Sequence, residues 1–192
     1  MANIQMLQHS APVEPMPFGA LASAVLDNSP IGPGDEELAL RRLRADDLAM
    51  IEEHLLDLCR TDRAMRFLGT HNDEVVSSYA RHLDPSASIM VGAITPSGRL
   101  LGFAEAQPTE ARGKVEIAVT VAHAWRRRGL GRALVARVVV LSFAEGAHIA
   151  EFNFCPSNKA IVCLVASLGG RFGPLLGTAS ISRGSRLERL VA

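Results

Sequence analysis

The sequence shows no excess of charge of either sign. Its 192 residues include 20 lysines and arginines and 20 aspartates and glutamates, so the formal net charge at pH 7 is zero. A balanced charge removes the electrostatic argument for a nucleic-acid partner or an anionic membrane. The single tryptophan weakens the case for nucleic acid further, because bound bases stack on aromatic side chains. We therefore expect neither partner.

Cysteine is also scarce. Cys59, Cys155 and Cys163 form no Cys-x-x-Cys pair and are odd in number, so we expect no disulfide framework and no metal site. Such cysteine usage is typical of a reducing compartment. The sequence also lacks an apolar run of membrane-spanning length and the basic-then-apolar N-terminus of a secretory signal. Together these absences predict a cytoplasmic protein.

The first 36 residues differ in composition from the rest of the chain. They contain several prolines and glycines and no lysine or arginine, a mixture that does not readily continue a helix or a strand. We expect a flexible or loosely packed tail over residues 1–36. The overall composition, 48% hydrophobic and 21% charged, is typical of globular domains, and residues 37–192 are predicted to form one domain.

Hydrophobic periodicity predicts the secondary structure of this domain. The second predicted helix carries Val75 and Val76 on its buried face. The elements of the first half are a strand over 38–43, a helix from about 46 to 58, a polar turn over 60–70, a helix from about 72 to 83, and strands 88–94 and 100–106 joined by a hairpin turn. Those of the second half are a strand over 114–121, a helix over 130–145, a strand over 148–154, a helix over 158–168, and a closing hairpin within 171–190. This order predicts an α+β domain with a mixed, mostly antiparallel central sheet and flanking helices.

The most informative stretch is the strand, turn and helix over residues 114–145. Gly129 and Gly131 allow the turn to bend sharply and its backbone to come close to a ligand. The first turn of the helix offers unpaired N–H groups and a positive dipole end, which suit a phosphate or pyrophosphate. Three consecutive arginines, residues 126–128, add charged donors at the same place.

Each part of this stretch also has a simpler interpretation. Three adjacent arginines are more often a solvated basic turn than a ligand site, and the Gly-x-Gly completes neither the dinucleotide-binding fingerprint nor a P-loop. The context favours an anion site, because the predicted helix directs its N-terminus at the turn.

Two blocks of the sequence resemble a known family. The run Arg126-x-x-Gly129-x-Gly131 resembles the acyl-CoA-binding signature of the GNAT N-acetyltransferase superfamily, Gln/Arg-x-x-Gly-x-Gly/Ala. Downstream, residues 158–172 are similar to the family's second block, in which an asparagine opens a helix that ends near a Gly-Phe. The two blocks stand in the family's order and separation. The chain is therefore identified as a member, nearest in character to the bacterial protein-lysine acetyltransferase-like proteins.

This resemblance implies a fold, a donor and a reaction. The fold would be the GNAT-like acyl-CoA N-acyltransferase fold, and the donor would be acetyl-CoA. The reaction would be direct transfer of the acetyl group to a primary amine, either a protein lysine or a small molecule. The alternative is a non-catalytic acyl-CoA-binding sensor or interaction module. A homodimer is left open.

The resemblance also implies which residues bind the cofactor. In the family, backbone groups of the central strand bind the thioester carbonyl and the turn binds the pyrophosphate; the Val121 N–H is the expected carbonyl donor. The cofactor-binding residues implied in this way are Val119, Thr120, Val121, Arg126, Arg127, Arg128, Gly129, Leu130, Gly131, Arg132 and Asn158.

The expected general base is Glu116, because several relatives carry a catalytic glutamate at this point of the central strand. The competing interpretation is a solvent-facing carboxylate paired with Lys114 or Arg112. Glu105 on the preceding strand is the second candidate base, whereas His123 is expected to be a surface residue.

The sequence departs from the family at two points. Many relatives carry a tyrosine, the general acid, seven residues after the asparagine of the second block, whereas this chain has Val165 there and its only tyrosine is Tyr79. Either water or another group then protonates the CoA thiolate, or the thiolate leaves as such, since thiol pKa values lie near 8.5. Asn153 replaces a glutamate of some relatives and cannot act as a base. Cys155 and Cys163 are expected to be small buried hydrophobes rather than acyl carriers.

The acceptor pocket is expected between the first two helices and the hairpin. A cluster of charged residues lies there in the predicted polar turn, and it could contact a charged acceptor; a solvated loop is the simpler interpretation. The cluster consists of Arg60, Asp62, Arg63 and Arg66.

Overall fold

The computed structural model describes residues 38–187. These residues form a seven-stranded sheet in the order β1-β2-β3-β4-β5-β7-β6. Only the β4–β5 pair is parallel, and every other neighbouring pair is antiparallel. The strands are β1 Ala39–Arg42, β2 Ile89–Ile94, β3 Leu100–Pro108, β4 Lys114–Val121, β5 Ile149–Asn153, β6 Arg171–Phe172 and β7 Thr178–Ser182. The predicted mixed, mostly antiparallel sheet and its closing hairpin are confirmed.

Five helices flank this sheet, and 3-10 turns at Ala45–Asp47 and His123–Trp125 connect elements. The helices are α1 Leu48–Leu56, α2 Arg60–Phe67, α3 Asp73–Arg81, α4 Leu130–Ala144 and α5 Lys159–Ser167. Among the described residues, no helix combines the length and the hydropathy that crossing a bilayer requires. The predicted tail over residues 1–36 lies outside the described part of the chain.

The core consists of two apolar layers on opposite faces of the sheet. α1 and α3 cover one face, where their leucines, valine and isoleucine pack on Met90 and Phe103. α4 covers the other face, and ten of its 15 residues are buried, as its almost uniformly apolar sequence predicts. α4 packs so closely on β3 that a Cβ at Gly102 would lie 2.6 Å from Leu134 Cδ1.

The predicted polar turn over residues 60–70 was wrong, because residues 60–67 form helix α2. None of the α2 residues is fully buried, so the helix lacks the apolar stripe on which periodicity depends. Polar contacts hold it instead. Arg63 donates to the Leu56 carbonyl and pairs with Asp73, and Asp62 pairs with Arg126.

The prediction that Val75 of α3 is buried was also wrong. Val76 and Ala80 are buried on the face that meets α1, whereas Val75 is 48% exposed. Successive helix residues differ by about 100° in direction, so adjacent valines cannot both face the core centre.

Candidate active site

The two central strands part in the middle of the sheet. β4 and β5 are paired only where residues 114–116 meet residues 149–151, although both strands continue beyond this point. The gap beyond the last pair opens into a cavity of about 240 Å³, which we call the cleft. Ala118 of β4 and Phe152 of β5 line it, and the C-terminal end of α2 borders it.

Backbone groups of β4 point alternately towards β3 and towards the cleft. The Ala122 N–H donates to a carbonyl of β3, and the register between β3 and β4 is regular. Thr120 therefore also directs its N–H and C=O at β3, whereas Val119 and Val121 direct theirs at the opposite edge. The Val121 N–H, the expected donor to the thioester carbonyl, lies at this open edge together with the Val119 N–H.

The turn that follows β4 has a conformation suited to anions. Arg127 and Gly129 both have left-handed backbones, with φ of 63° and 84°. Within the described residues, the backbone N–H groups of residues 127–131 have no protein acceptor. Consecutive N–H groups in such a turn form a concave anion-binding surface, and the N-terminus of α4 adds its positive dipole end.

The three adjacent arginines have different environments. Arg126 donates to a carbonyl at the end of β4 at 3.1 Å and pairs with Asp62 of α2, so it ties the turn to that helix. The Arg128 guanidinium lies over the Trp125 ring, 4.9 Å from its centroid. Arg127 makes no side-chain hydrogen bond or ion pair with a described residue. Its guanidinium therefore remains available to a phosphate.

Three of the predicted cofactor-binding residues, Leu130, Gly131 and Arg132, form the first turn of α4. Leu130 is buried, so it can offer only its backbone to a ligand. A Cβ at Gly131 would lie 3.4 Å from Leu164 Cδ1, an ordinary contact, so the protein itself leaves room for alanine there. Burial lowers the pKa of Arg132, and the nearby charge of Arg186 lowers it further.

Glu116 lies at the point where β4 and β5 part. Its carboxylate is exposed, lines the cleft and accepts a hydrogen bond of 3.1 Å from the Asn153 side-chain amide. Lys114, the expected partner in the competing interpretation, instead pairs with Glu151 at 2.7 Å. A carboxylate that faces the cleft and is not paired to lysine is in a position to accept a proton.

Glu105, the second candidate base, has a different environment. It is buried, and one carboxylate oxygen accepts hydrogen bonds from Arg66 and Tyr79. The other oxygen accepts a bond of 3.3 Å from Gln107. Burial raises the pKa of Tyr79, so its phenol stays protonated and donates to Glu105. The geometry favours Glu116 over Glu105 as the base.

The second block of the sequence meets the cleft through Asn158. This asparagine caps α5 by accepting the Ile161 N–H at 3.3 Å, and both residues line the cleft. Val165 is completely buried in the core, so that position cannot present a proton donor to the leaving thiolate. His123 is exposed in the 3-10 turn after β4, as expected of a surface residue, and is not part of the cleft lining.

The expectation of buried cysteines was wrong. Cys163 is exposed and Cys155 is half-buried, because both lie on surface-facing positions of the α5 region. The Cys155 thiol lies 3.1 Å from the Ser157 hydroxyl, and this hydrogen bond lowers the pKa of Cys155. Neither cysteine lines the cleft.

Sequence reasoning missed His54, which connects α1 to the central strand. His54 is 5% exposed, its Nε2 lies 2.8 Å from Thr120 Oγ1, and its Nδ1 lies 3.2 Å from the Leu100 carbonyl. The carbonyl requires a proton on Nδ1, so Nε2 accepts the Thr120 hydroxyl. Burial lowers the pKa of His54 to about 4, which keeps it neutral. Its place beside Ile51 and Leu55 on the apolar face of α1 was the available signal.

A larger depression of about 540 Å³ lies elsewhere, beside β6 and β7. Arginines and serines line it, among them Arg171, Ser180 and Arg186, and it shares no lining residue with the cleft. Size alone therefore does not locate the chemistry. Among the described residues, no group of three or more histidine, cysteine or acidic side chains could hold a metal ion.

Comparison with known proteins agrees with the fold. A model of the acetyltransferase (GNAT) family matches residues 53–169. The GNAT domain of PAT from S. lividans is similar with a TM-score of 0.63 at 16% identity, over 76% of this chain and 90% of that chain. The protein yncA of Salmonella typhimurium, solved with its cofactor acetyl-CoA, has a TM-score of 0.60 at 20% identity, over 76% and 93%. Spermidine N-acetyltransferase from Vibrio cholerae, solved with CoA and spermine, has a TM-score of 0.60 at 20% identity, over 78% and 98%. No curated protein matches the chain.

Proposed function

The chain belongs to the GNAT acetyltransferase family, whose donor is acetyl-CoA, and we propose on that premise that it transfers the acetyl group directly to a primary amine in the cleft. The acceptor is a small-molecule amine or an amine of a protein. The parting of β4 and β5 carries this proposal, because it brings the open backbone edge and the Glu116 carboxylate to one cavity. The anion-binding turn follows the end of the same strand, β4.

Three parts of the chain have separate tasks in this reaction. Acetyl-CoA supplies the acetyl group as an activated thioester. The N–H groups of residues 127–131 and the Arg127 guanidinium bind its pyrophosphate. The N–H groups of Val119 and Val121 are available to the thioester carbonyl, where they stabilise the negative charge that develops on oxygen.

Glu116 acts as the general base in this proposal. An alkyl ammonium ion must lose a proton before its nitrogen can attack the thioester, and the Glu116 carboxylate accepts it, directly or through one water. The Asn153 amide holds that carboxylate towards the cleft. The cleft lining contains no tyrosine, cysteine or histidine, so the leaving group departs as the thiolate.

This lack of a proton donor also favours the second candidate, an acyl-CoA-binding sensor that does not turn over. Val165 is the specific observation behind it. The two functions differ in one measurable respect, since a sensor binds acetyl-CoA but acetylates no amine.

Calorimetric titration with acetyl-CoA tests the binding step, with Arg127→Ala as the variant. Arg99→Ala is the matched control, because Arg99 forms an exposed ion pair with Asp57 away from the cleft. We expect saturable binding that Arg127→Ala weakens about tenfold and that Arg99→Ala leaves unchanged. Absence of binding would refute the proposal.

Turnover is best followed by mass spectrometry of the acetylated amine. Cys59 and Cys163 are exposed and would react with thiol reagents, which obscures the release of CoA. Binding without acetylation of any amine in a broad panel would establish the sensor instead.

A further inference from the structure

Arg66 forms a fixed part of the cleft wall. It belongs to the C-terminal end of α2, lines the cleft, and has a side chain only 10% exposed. Its Nη2 donates to the Tyr79 hydroxyl at 2.7 Å and to Glu105. The guanidinium also lies 4.9 Å from the centroid of the Phe67 ring and 5.2 Å from that of Tyr79. These contacts hold the planar group in a single orientation.

The guanidinium still has donors to offer. Arg66 Nε is sealed from solvent and has no hydrogen-bond partner in the described part of the chain. The hydrogen bonds that Arg66 makes with described residues all use Nη2, and Nη1 is not sealed from solvent as Nε is. The Nη1 edge therefore remains accessible at the cleft, where a polar group of a ligand can meet it.

The position of Arg66 relative to the proposed base follows from the sheet register. Glu105, which anchors Arg66, is the cross-strand neighbour of Ala118, and such neighbours have Cβ atoms about 5 Å apart. Glu116 lies two residues before Ala118 on the same strand face, about 7 Å away along the strand. The small Ala118 side chain leaves open the space between the Glu116 carboxylate on one side and the Arg66 guanidinium on the other.

The charges decide what kind of group Arg66 would bind. The Glu105 carboxylate offsets the guanidinium charge, so the pair as a whole is neutral. An acceptor therefore gains a directed hydrogen bond more than a net electrostatic attraction. Because Arg66 is already held by Glu105, Tyr79 and Phe67, little side-chain freedom is lost when it binds a ligand.

We propose that Arg66 determines the acceptor class by donating a hydrogen bond to an oxygen atom close to the reacting amine. This rests on the proposed function. An α-amino acyl group fits, because its carbonyl or carboxylate oxygen lies next to the amine that Glu116 deprotonates. The preferred acceptors are α-amino acids or the N-terminal amines of peptides. Alkyl amines and the lysine side chain lack such an oxygen.

Paired acceptors test this assignment. Alaninamide and sec-butylamine have similar shapes, but only alaninamide carries the oxygen. Their kcat/KM values are calculated from the concentration of the free-base amine and then compared. We expect the wild-type protein to prefer alaninamide by about 10- to 100-fold, the range of a hydrogen bond to a charged group. Alanine and an alanine-initiated tripeptide then distinguish amino acid from peptide N-terminus, and Nα-acetyllysine represents the lysine side chain.

The variant is Arg66→Lys, which keeps a cation beside Glu105 but loses the second donor edge. It should lower kcat/KM for alaninamide by about 10- to 100-fold, mainly by raising KM. The kcat/KM for sec-butylamine should stay within about twofold of the wild-type value. Arg63→Lys, one turn earlier on α2 and bonded to Leu56 and Asp73, is the matched control and should leave the ratio unchanged. Tyr79→Phe, which removes one contact of Arg66, provides a second variant and should reduce the ratio in the same direction by a smaller amount.

Two outcomes overturn the role of Arg66. One is equal use of alaninamide and sec-butylamine by the wild-type protein; the other is an equal loss for both acceptors in Arg66→Lys. Acceptor binding to the protein saturated with CoA is measured by calorimetry alongside turnover. A preference for alaninamide in binding without acetylation would support Arg66 and refute the proposed transferase, so the two failures are distinguishable.

Discussion

The Asn153 side-chain amide donates to the Glu116 carboxylate across the gap between β5 and β4, at 3.1 Å. The two side chains thus bridge the strands just beyond the last backbone pair, Glu116 with Glu151. Asn153 cannot accept a proton from an amine, but it can orient the group that does. The parting of the strands and the placement of the proposed base are therefore linked.

Replacing Glu116 by glutamine tests its role as the base. Glu116→Gln keeps the size of the side chain and removes the proton acceptor, so we expect kcat to fall by about 10²–10⁴-fold with unchanged affinity for acetyl-CoA. Glu151→Gln is the matched control, because Glu151 pairs with Lys114 and does not line the cleft. A kcat of Glu116→Gln within a few fold of wild type would remove Glu116 from the mechanism.

Replacing Asn153 by aspartate should change the pH dependence of the reaction. A second carboxylate beside Glu116 disfavours its charged form and raises its pKa. The acidic limb of the kcat/KM profile would then move to higher pH, so that activity is lost earlier on acidification. Asn153→Ala, which removes the hydrogen bond without adding charge, serves as the comparison. If the acidic limb of Asn153→Asp lies at the same pH as that of the wild type, Glu116 is not the group whose protonation causes the limb.

His54 predicts a loss of stability in mild acid. Its pKa is about 4 in the folded protein and 6.5 as the ordinary value, so the unfolded chain takes up the proton first as pH falls. The contribution of His54 to the free energy of unfolding is therefore fully present above pH 6.5 and declines between pH 6.5 and 4. The total loss from this residue is about 3 kcal/mol. Urea unfolding at pH 7, 5.5 and 4.5 measures this slope.

The variant His54→Gln should flatten that slope, since glutamine does not titrate. His148→Gln is its control, because His148 is exposed and its removal should leave the slope as in wild type. Identical slopes in wild type and His54→Gln would show that the histidine is not held neutral by burial.

Two variants of Arg127 distinguish the effect of its backbone conformation from the effect of its guanidinium charge. Arg127→Gly and Arg127→Ala both remove the guanidinium, and both should weaken acetyl-CoA binding about tenfold. They differ in the left-handed conformation, φ 63°, which glycine adopts without the Cβ penalty of about 1–2 kcal/mol. Urea unfolding should therefore find the glycine variant about 1 kcal/mol more stable than the alanine variant. Equal stability would mean that residue 127 leaves this conformation in the variants.

Local patterns were sufficient to predict the strand, turn and helix over residues 114–145 and the order of the other strands. These elements bury alternating or continuous apolar residues, and that periodicity is visible along the chain. The turn was visible as a contiguous motif, and the family resemblance implied Glu116, whose role stays a proposal. The sequence could not show that β4 and β5 part after Glu116, because pairing depends on two segments that are distant in sequence.

The turn predicted in place of α2 and the omission of His54 have the same origin. α2 is held by contacts of Asp62 with Arg126 and of Arg66 with Glu105, whose partners lie far along the chain. His54 is one polar residue on an apolar helix face, and its partners Thr120 and Leu100 lie far along the chain. Polar contacts between distant residues leave no period in the sequence.

The open edge of β4 has a consequence for handling the protein. Without acetyl-CoA, the Val119 backbone and the Val121 N–H form a stretch of strand with no backbone partner within an otherwise paired sheet. Unpaired strands attract extended segments of other chains, including copies of the same protein, and such pairing leads to aggregation. A ligand in the cleft covers this stretch, so the preparation without acetyl-CoA is the one that precipitates first on concentration.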